Sequence, residues 1–360
     1  MSPKMLKEEN DMATLSSLIR KETLHIVRDR RTMLITLLMP LVLLLLFGFA
    51  ISTEVNDVRI IFVVDTHTDR TRDIMEKFRA NEYFTFVGLV SPENVETMLR
   101  RGEADVVLFL RDDDGQLRSQ IVVDASNTSS AQAMTGYVEG VLTGGSVPSP
   151  VLTYTLYNPQ MKSAYNFVPG IMGMIFILIC AIMTSVSIVR EKETGSMDLL
   201  LVSPIRPWTI ILGKLIPYFM LSCIILSVML LMAYTLLGLP VSARVVNVIL
   251  VSLLYIVMSL SIGLLVSTLV STQLTALIVS AVAFMLPVIM LSGMIFPIDN
   301  MPVVLQWISC IIPARWYIEA MRKLMIQQLA IGYVIPEIMI LSILTVVLLC
   351  LSVKKFSNSK

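Results

Sequence analysis

VVNVILVSLLYIVMSLSIGLLVSTLVSTQLTALIVSAVAFMLPVIMLSGMIFPI, residues 245–298, holds no Asp, Glu, Lys or Arg. One membrane-crossing helix needs about 20 apolar residues. A stretch this long therefore holds two, parted at the polar cluster around Ser267 and Thr275. A charge at a helix centre costs about 2.5–3.5 kcal/mol on insertion scales, while each Leu, Ile, Phe or Val contributes only about 0.3–0.6. Charge-free intervals consequently mark the membrane. Four more lie between Arg31 and Glu54, Lys162 and Arg190, Lys214 and Arg244, and Glu337 and Lys354. The intervals predict six spans near residues 33–52, 167–189, 215–237, 246–267, 274–293 and 335–353.

Composition agrees. Hydrophobic residues make up 55% of the 360 and charged residues 15%, against roughly 45–50% and 25% in soluble domains. The net charge of +1 gives no footprint for nucleic acid. Its distribution sets orientation, because Lys and Arg in short loops stay in the cytoplasm. The N-terminal segment carries Arg20, Lys21, Arg28, Arg30 and Arg31, the loop after the second span carries Arg190, Lys192, Arg206 and Lys214, and the tail carries Lys354, Lys355 and Lys360. Six spans put all three on one side. The first apolar run starts beyond Arg31 and lacks a small-x-small cleavage site, so it reads as an anchor rather than a signal peptide.

The fold class expected is a membrane α-helical protein with six transmembrane helices, an inserted extracytoplasmic α/β domain between helices 1 and 2, and a re-entrant outer hairpin before helix 6. Residues 1–32 form a cytoplasmic N-terminal interfacial helix, with Leu15, Leu18, Ile19 and Ile26 among charges; a solvated basic leader is the alternative. Helix 1 occupies 33–52. The extracytoplasmic domain, residues 53–165, alternates β-branched runs with helical patterns: 59–64 then 70–79, 85–89 then 93–101, 106–110 then 120–123, a helix over 128–142, a Gly/Pro linker over 144–150 and a strand over 151–157. Helices 2–6 occupy 166–353, and 354–360 is a cytoplasmic tail. The run Asp112, Asp113, Asp114 before Gly115 reads as a turn with solvated charges, since the ligand spacing of a calcium loop is absent. Cys180, Cys223, Cys310 and Cys350 lie in or beside membrane segments and support neither a disulfide framework nor a metal site.

The cytoplasmic segment from Arg190 reads REKETGSMDLLLVSPIRPWTIILGKLIPY. Arg190, Glu191, Lys192 and Glu193 leave the membrane together, Gly195 permits a sharp turn, and Met197, Leu199 and Leu200 supply an apolar face that Pro204 ends. Such an element is either a plain amphipathic connector or a rigid seat for a cytoplasmic partner. A second segment, LSGMIFPIDNMPVVLQWISCIIPARWYIEAMR from Leu291, brackets an apolar piece too short to span between Pro302 and Pro313. Trp307, Trp316 and Tyr317 suit the headgroup level. Glu319 has helical spacing to pair with Arg315 or Arg322.

REKETG, the Ser203-Pro204 pair and Gly213-Lys214 resemble the cytoplasmic signature of type 2 ABC transporter permeases, multidrug- and lipid-efflux-like. Ser292, Gly293, Phe296, Pro297, Met301, Pro302, Leu305 and Pro313 are similar to that family's pattern before the last span. The resemblance covers nearly the whole chain and is weakest in the external domain. It implies that residues 190–214 contact a separate ABC ATP-binding subunit. It also implies that residues 294–330, with Gly293, Phe296, Pro297, Pro302, Pro313, Arg315, Glu319 and Arg322, form an outer gate of short helices. It further implies a dimer with a second copy or paralogue, a place in the bacterial inner membrane, and export of an apolar or amphiphilic substrate, with a periplasmic adaptor as an optional partner.

No phosphate-binding loop precedes Gly213-Lys214, and Leu215 stands where a hydroxyl is needed. The chain itself carries no cofactor motif; ATP and Mg²⁺ are expected on the partner subunit, and the chain is not expected to be an enzyme. His25 and His67 fall on opposite sides of the predicted membrane, which excludes a His pair or zinc site. The spans lack a central ionisable residue of the proton-relay kind. Ser185, Ser187, Ser259, Ser261, Gly263 and Ser267 read as sites of close helix packing. The competing reading is a membrane-anchored receptor whose α/β domain binds a ligand outside; an intramembrane enzyme lacks a nucleophile–base or metal constellation.

Overall fold

A computed structural model describes residues 3–47, 58–65, 68–113, 116–123, 128–143, 163–197, 202, 207–241, 244–298 and 301–357. The linker expected over 144–150 and the strand over 151–157 lie outside the described residues. The chain divides into two units, residues 52–163 and the rest.

The smaller unit follows the order read from the sequence: β1 (Val58–Val64), α3 (Asp69–Arg79), β2 (Phe84–Leu89), α4 (Val95–Arg100), β3 (Val106–Asp113), β4 (Gln116–Val123) and α5 (Thr128–Thr143), with α1 and α2 preceding it in the other unit. Strand order is β2-β1-β3-β4, parallel except for the β3–β4 hairpin. β1 reads VRIIFVV because both its faces are covered. Ile60 and Phe62 pack with Ile74 and Phe78 of α3 and Val138 of α5, while Ile61 and Val63 pack with Val95 of α4. The expected helix over 93–101 begins as a short 3₁₀ turn, Pro92–Asn94, whose first position is a proline, where the missing N–H is not needed. Asp113 of β3 pairs with Gln116 of β4, and residues 114–115 lie outside the described part.

The larger unit contains α1 (Pro3–Arg28), α2 (Arg30–Leu45), α6 (Ser163–Glu193), α7 (Pro207–Thr235), α8 (Val245–Leu269), α9 (Gln273–Leu291), α10 (Val303–Ser309), α11 (Pro313–Met321) and α12 (Ile335–Ser357). Among the described residues, five helices are long and apolar enough to cross a membrane: Phe167–Glu193, Trp208–Thr235, Val245–Leu269, Gln273–Leu291 and Ile331–Lys355. The first expected span appears as the shorter apolar helix Met33–Leu45, and the expected residues 48–52 lie outside the described part. The uncharged stretch 245–298 does break in two. Its second helix starts where the Thr272 hydroxyl accepts from the Thr275 N–H at 3.3 Å, an N-cap.

Small residues set the packing of this unit. Gly263 of α8 lies against Ala181 and Thr184 of α6. The Ser185 and Ser280 hydroxyls meet at 3.0 Å. Ser259, Ser261 and Ser267 return their hydroxyls to carbonyls of their own helix, which hides a polar group without a partner helix.

Candidate functional site

The last turn of α6 carries Arg190, Glu191, Lys192 and Glu193, and successive helical positions point them in different directions. Arg190 is exposed. Glu191 turns inward and is only 9% exposed. Its Oε1 accepts from Lys21 Nζ of α1 at 2.7 Å, and its Oε2 lies 2.8 Å from Lys214 Nζ of α7, an ion-pair contact without hydrogen-bond alignment. Lys214 also donates to Glu22 of α1 at 3.1 Å. Two acids and two lysines from three helices thus form one alternating cluster. Glu22, Glu191 and Lys214 are buried while Lys21 is about half exposed; burying one such charge alone is costly, so the three buried groups depend on one another.

Lys192 and Glu193 address a different junction. Lys192 Nζ donates to the Ser267 carbonyl at 2.5 Å, near the C-terminus of α8, where the helix dipole favours a cation. Glu193 Oε2 accepts from the backbone N–H of Gln273 at 3.2 Å and from its Nε2 at 2.8 Å, at the N-terminus of α9, where the dipole favours an anion. One turn of α6 therefore holds both sides of the α8–α9 break.

Gly195 ends the helix at φ 72°, and its N–H donates to the Lys192 carbonyl at 3.1 Å. This is the left-handed position that commonly follows a helix C-terminus. An added Cβ there meets nothing within 4 Å, so substitution is opposed by backbone conformation alone. Gly195→Ala is expected to cost about 1–2 kcal/mol, with Gly195→Asn milder because Asn tolerates this region. Thermal unfolding midpoints of the purified proteins check it, and equal midpoints for all three would contradict it. Beyond the glycine, Met197 is buried with Ile188, Ile210, Ile211 and Leu264. Leu199, Leu200 and Pro204 lie outside the described residues.

The N-terminal helix is part of this site, which the sequence reading did not anticipate. Leu18, Glu22 and Ile26 share a face at spacings of four, and that face meets protein. Gly213 of α7 leaves room for it, since a Cβ there would sit 2.8 Å from Leu18 Cβ. The signal was available: Glu22 sits in the middle of an apolar stripe, where a carboxylate needs a buried cation.

On the opposite side, Gly293 has φ 80° and follows the end of α9; its carbonyl accepts from Arg322 Nη2 at 2.7 Å. Pro302 immediately precedes α10 and Pro313 opens α11, positions where a missing N–H is harmless. Phe296 and Pro297 are exposed. Arg315 donates to the Gln306 carbonyl at 3.0 Å and lies over the Trp316 ring. Glu319 forms its close ion pair with Lys323 at 3.2 Å; the expected Arg322 feels Glu319 as a nearby charge while donating to the Gly293 carbonyl, and Arg315 donates to the Gln306 carbonyl of the hairpin. Lys323 also binds the buried Glu337 at 2.5 Å. Burial alone would lower the Lys323 pKa, but its hydrogen bonds to Glu337 and Glu319 hold it above the ordinary value. Tyr317 is a second correction. It is fully buried, stacked on Tyr255 at 4.1 Å, because its hydroxyl finds Ser252 at 3.0 Å inside the bundle. Trp307 remains exposed.

The family model described as ABC-2 family transporter protein matches residues 30–354. The chain belongs to the ABC-2 transporter family. It is a multi-pass transmembrane permease, and permeases of this family work with an ATP-binding subunit, typically as dimers. Two relatives from Escherichia coli strain K12 bear the name "Probable multidrug ABC transporter permease". The permease is 29% identical to YbhS over 324 residues, covering 84% of this chain and 86% of that protein. To YbhR it is 29% identical over 338 residues, covering 89% of this chain and 92% of the relative. ABC transporter G family member 20 of Dictyostelium discoideum is 29% identical over 187 residues, 52% of this chain and 26% of that longer protein.

Proposed function

We propose that this permease is the membrane half of an exporter for an apolar or amphiphilic substrate, in which a separate ATP-binding subunit seats on residues 190–214. Six spans run through the bacterial inner membrane, both termini are cytoplasmic, the α/β unit of residues 53–165 is extracytoplasmic, and residues 294–330 form the outer re-entrant gate. The multidrug names of the two similar E. coli permeases support the substrate class. ATP and Mg²⁺ belong to the partner, and a second permease copy or paralogue completes the dimer.

The observation that carries the coupling role is the turn Arg190 to Glu193. A push on one helix turn moves α1 and α7 through Glu191, and the α8–α9 break through Lys192 and Glu193. The structure thus offers a stiff link from a surface residue, Arg190, to four helices. Cells producing the permease with its ATP-binding partner should lower the accumulation of an amphiphilic dye in an ATP-dependent way. Glu191→Ala should abolish most of that export while the ATPase still co-purifies. Export that persists without ATP, or a permease that recovers no ATP-binding partner from its own host, would sink the reading.

A further inference from the structure

Next to the ion-pair cluster, α1, α2, α6, α7 and α9 line an open cleft of about 620 Å³, within the range of about 300–1,000 Å³ usual for small-molecule sites. Its two ends differ in chemistry. One end is apolar, walled by Ile26, Met33, Ile182, Met183, Val186 and Leu277. The other is charged and continues into a groove along α1 that Arg20, Lys21, Arg28 and Arg190 line. Asp29 is the one carboxylate lining that groove. The other two acids of the cleft, Glu22 and Glu191, are held by Lys214 and Lys21. Cations are therefore in excess in the groove: Arg20, Lys21, Arg28 and Arg190 line it beside Asp29, with Lys21 also paired to Glu191.

An occupant must match both ends. A free anion satisfies the arginines and leaves the apolar wall wet; an uncharged hydrocarbon does the reverse. Met33 opens the apolar helix Met33–Leu45 and Leu277 lies one turn into the apolar α9, which sets the apolar end toward bilayer depth and the basic end toward headgroup depth. Basic pockets between membrane helices on the cytoplasmic side suit anionic lipid headgroups. We propose that this cleft binds an anionic phospholipid of the cytoplasmic leaflet, its headgroup among Arg20, Lys21, Arg28 and Arg190 and an acyl chain along Met33, Met183 and Leu277. The proposal rests on the cytoplasmic placement of α1 given under the proposed function. It adds a lipid to the junction itself, because Lys21 borders the groove and also holds Glu191.

The test uses the purified full-length permease in a neutral detergent, without its ATPase. Phosphatidylglycerol and phosphatidylcholine with identical acyl chains are added in turn, and native mass spectrometry counts the lipid retained. Phosphatidylglycerol should bind more tightly, and its advantage should shrink as salt is raised. Arg20→Gln and Arg28→Gln alter exposed side chains and should preserve the thermal midpoint. Each should weaken phosphatidylglycerol about fivefold, the equivalent of about 1 kcal/mol per cation near an anionic surface, and leave phosphatidylcholine unchanged. Met183→Trp, which fills the apolar end, should weaken phosphatidylglycerol with every cation still in place. Equal retention of the two lipids, or wild-type retention by both arginine variants, would overturn the proposal. Displacement of phosphatidylglycerol by inorganic phosphate together with indifference to Met183→Trp would also overturn it, by pointing to a plain anion site. Because the ATPase is absent, failure here leaves the exporter reading standing, and failure to recover an ATPase leaves the lipid result standing.

Discussion

Lys214→Met is expected to detach the N-terminal helix and abolish export. The substitution keeps the length and apolar stem of the side chain and removes only the ammonium that touches both Glu22 and Glu191. Glu191 retains Lys21, but Glu22, 5% exposed, is left with a single long contact from the Ser187 hydroxyl at 3.5 Å. Removing one partner of a buried ion pair typically costs about 3–5 kcal/mol, because the stranded charge stays desolvated. Release of α1 into water is the cheapest escape, since it rehydrates Glu22. Hydrogen exchange should therefore rise first in Pro3–Arg28, ahead of α6 and α8. The double variant Glu22→Gln, Lys214→Met removes both charges and should recover most of the thermal midpoint, since a neutral pair at a buried site often matches the ionic one. If Lys214→Met unfolds at the wild-type temperature with α1 still protected, the cluster does not hold that helix.

How far these residues were legible in the sequence depends on the kind of signal. The break near Ser267 to Thr275 was readable because length and charge constrain any helix that crosses a bilayer, whatever it packs against. The strands of the smaller unit were readable because β-branched runs such as RIIFVV alternate with helical patterns locally. Partner choice was not. Arg190, Glu191, Lys192 and Glu193 read as one exposed charged turn, and only the third dimension sends Glu191 to α1 and α7 and its neighbours to the α8–α9 break. Glu319 has three basic residues within helical reach, Arg315, Arg322 and Lys323, and spacing alone does not choose among them. The Gln306 carbonyl takes Arg315 and the Gly293 carbonyl takes Arg322, which leaves Lys323 for the close ion pair. Tyr317 misled for a related reason. An amphipathic ring at a span boundary suits the headgroups, but a hydroxyl on Ser252 suits it equally well in the interior.

Gly263 is the position where the smallest added atom group should do the most damage. A Cβ there would stand 2.8 Å from the Ala181 carbonyl oxygen and 3.0 Å from Ala181 Cα, besides 2.8 Å from Thr184 Cβ. Backbone atoms have no rotamer to turn away, so α8 must move off α6. That motion strains other contacts of the same pair of helices, among them the hydrogen bond from the Tyr255 hydroxyl to the Gly173 carbonyl at 2.9 Å. In a bilayer, helix association depends on close packing rather than on exclusion of water, which makes a lost approach harder to offset. Gly263→Ala should cost about 1–3 kcal/mol, the usual range for overpacking. Gly263→Leu should prevent recovery of folded permease. Gly170 supplies the control. A Cβ there overlaps more severely on paper, at 2.2 Å from Met294 Cγ, but the obstacle is one flexible side chain that can swing aside. Gly170→Ala should therefore be the milder substitution, and denaturation midpoints of the two alanine variants in detergent order them. A Gly263→Ala midpoint above that of Gly170→Ala would show that side-chain overlap, and not backbone approach, limits packing between these helices.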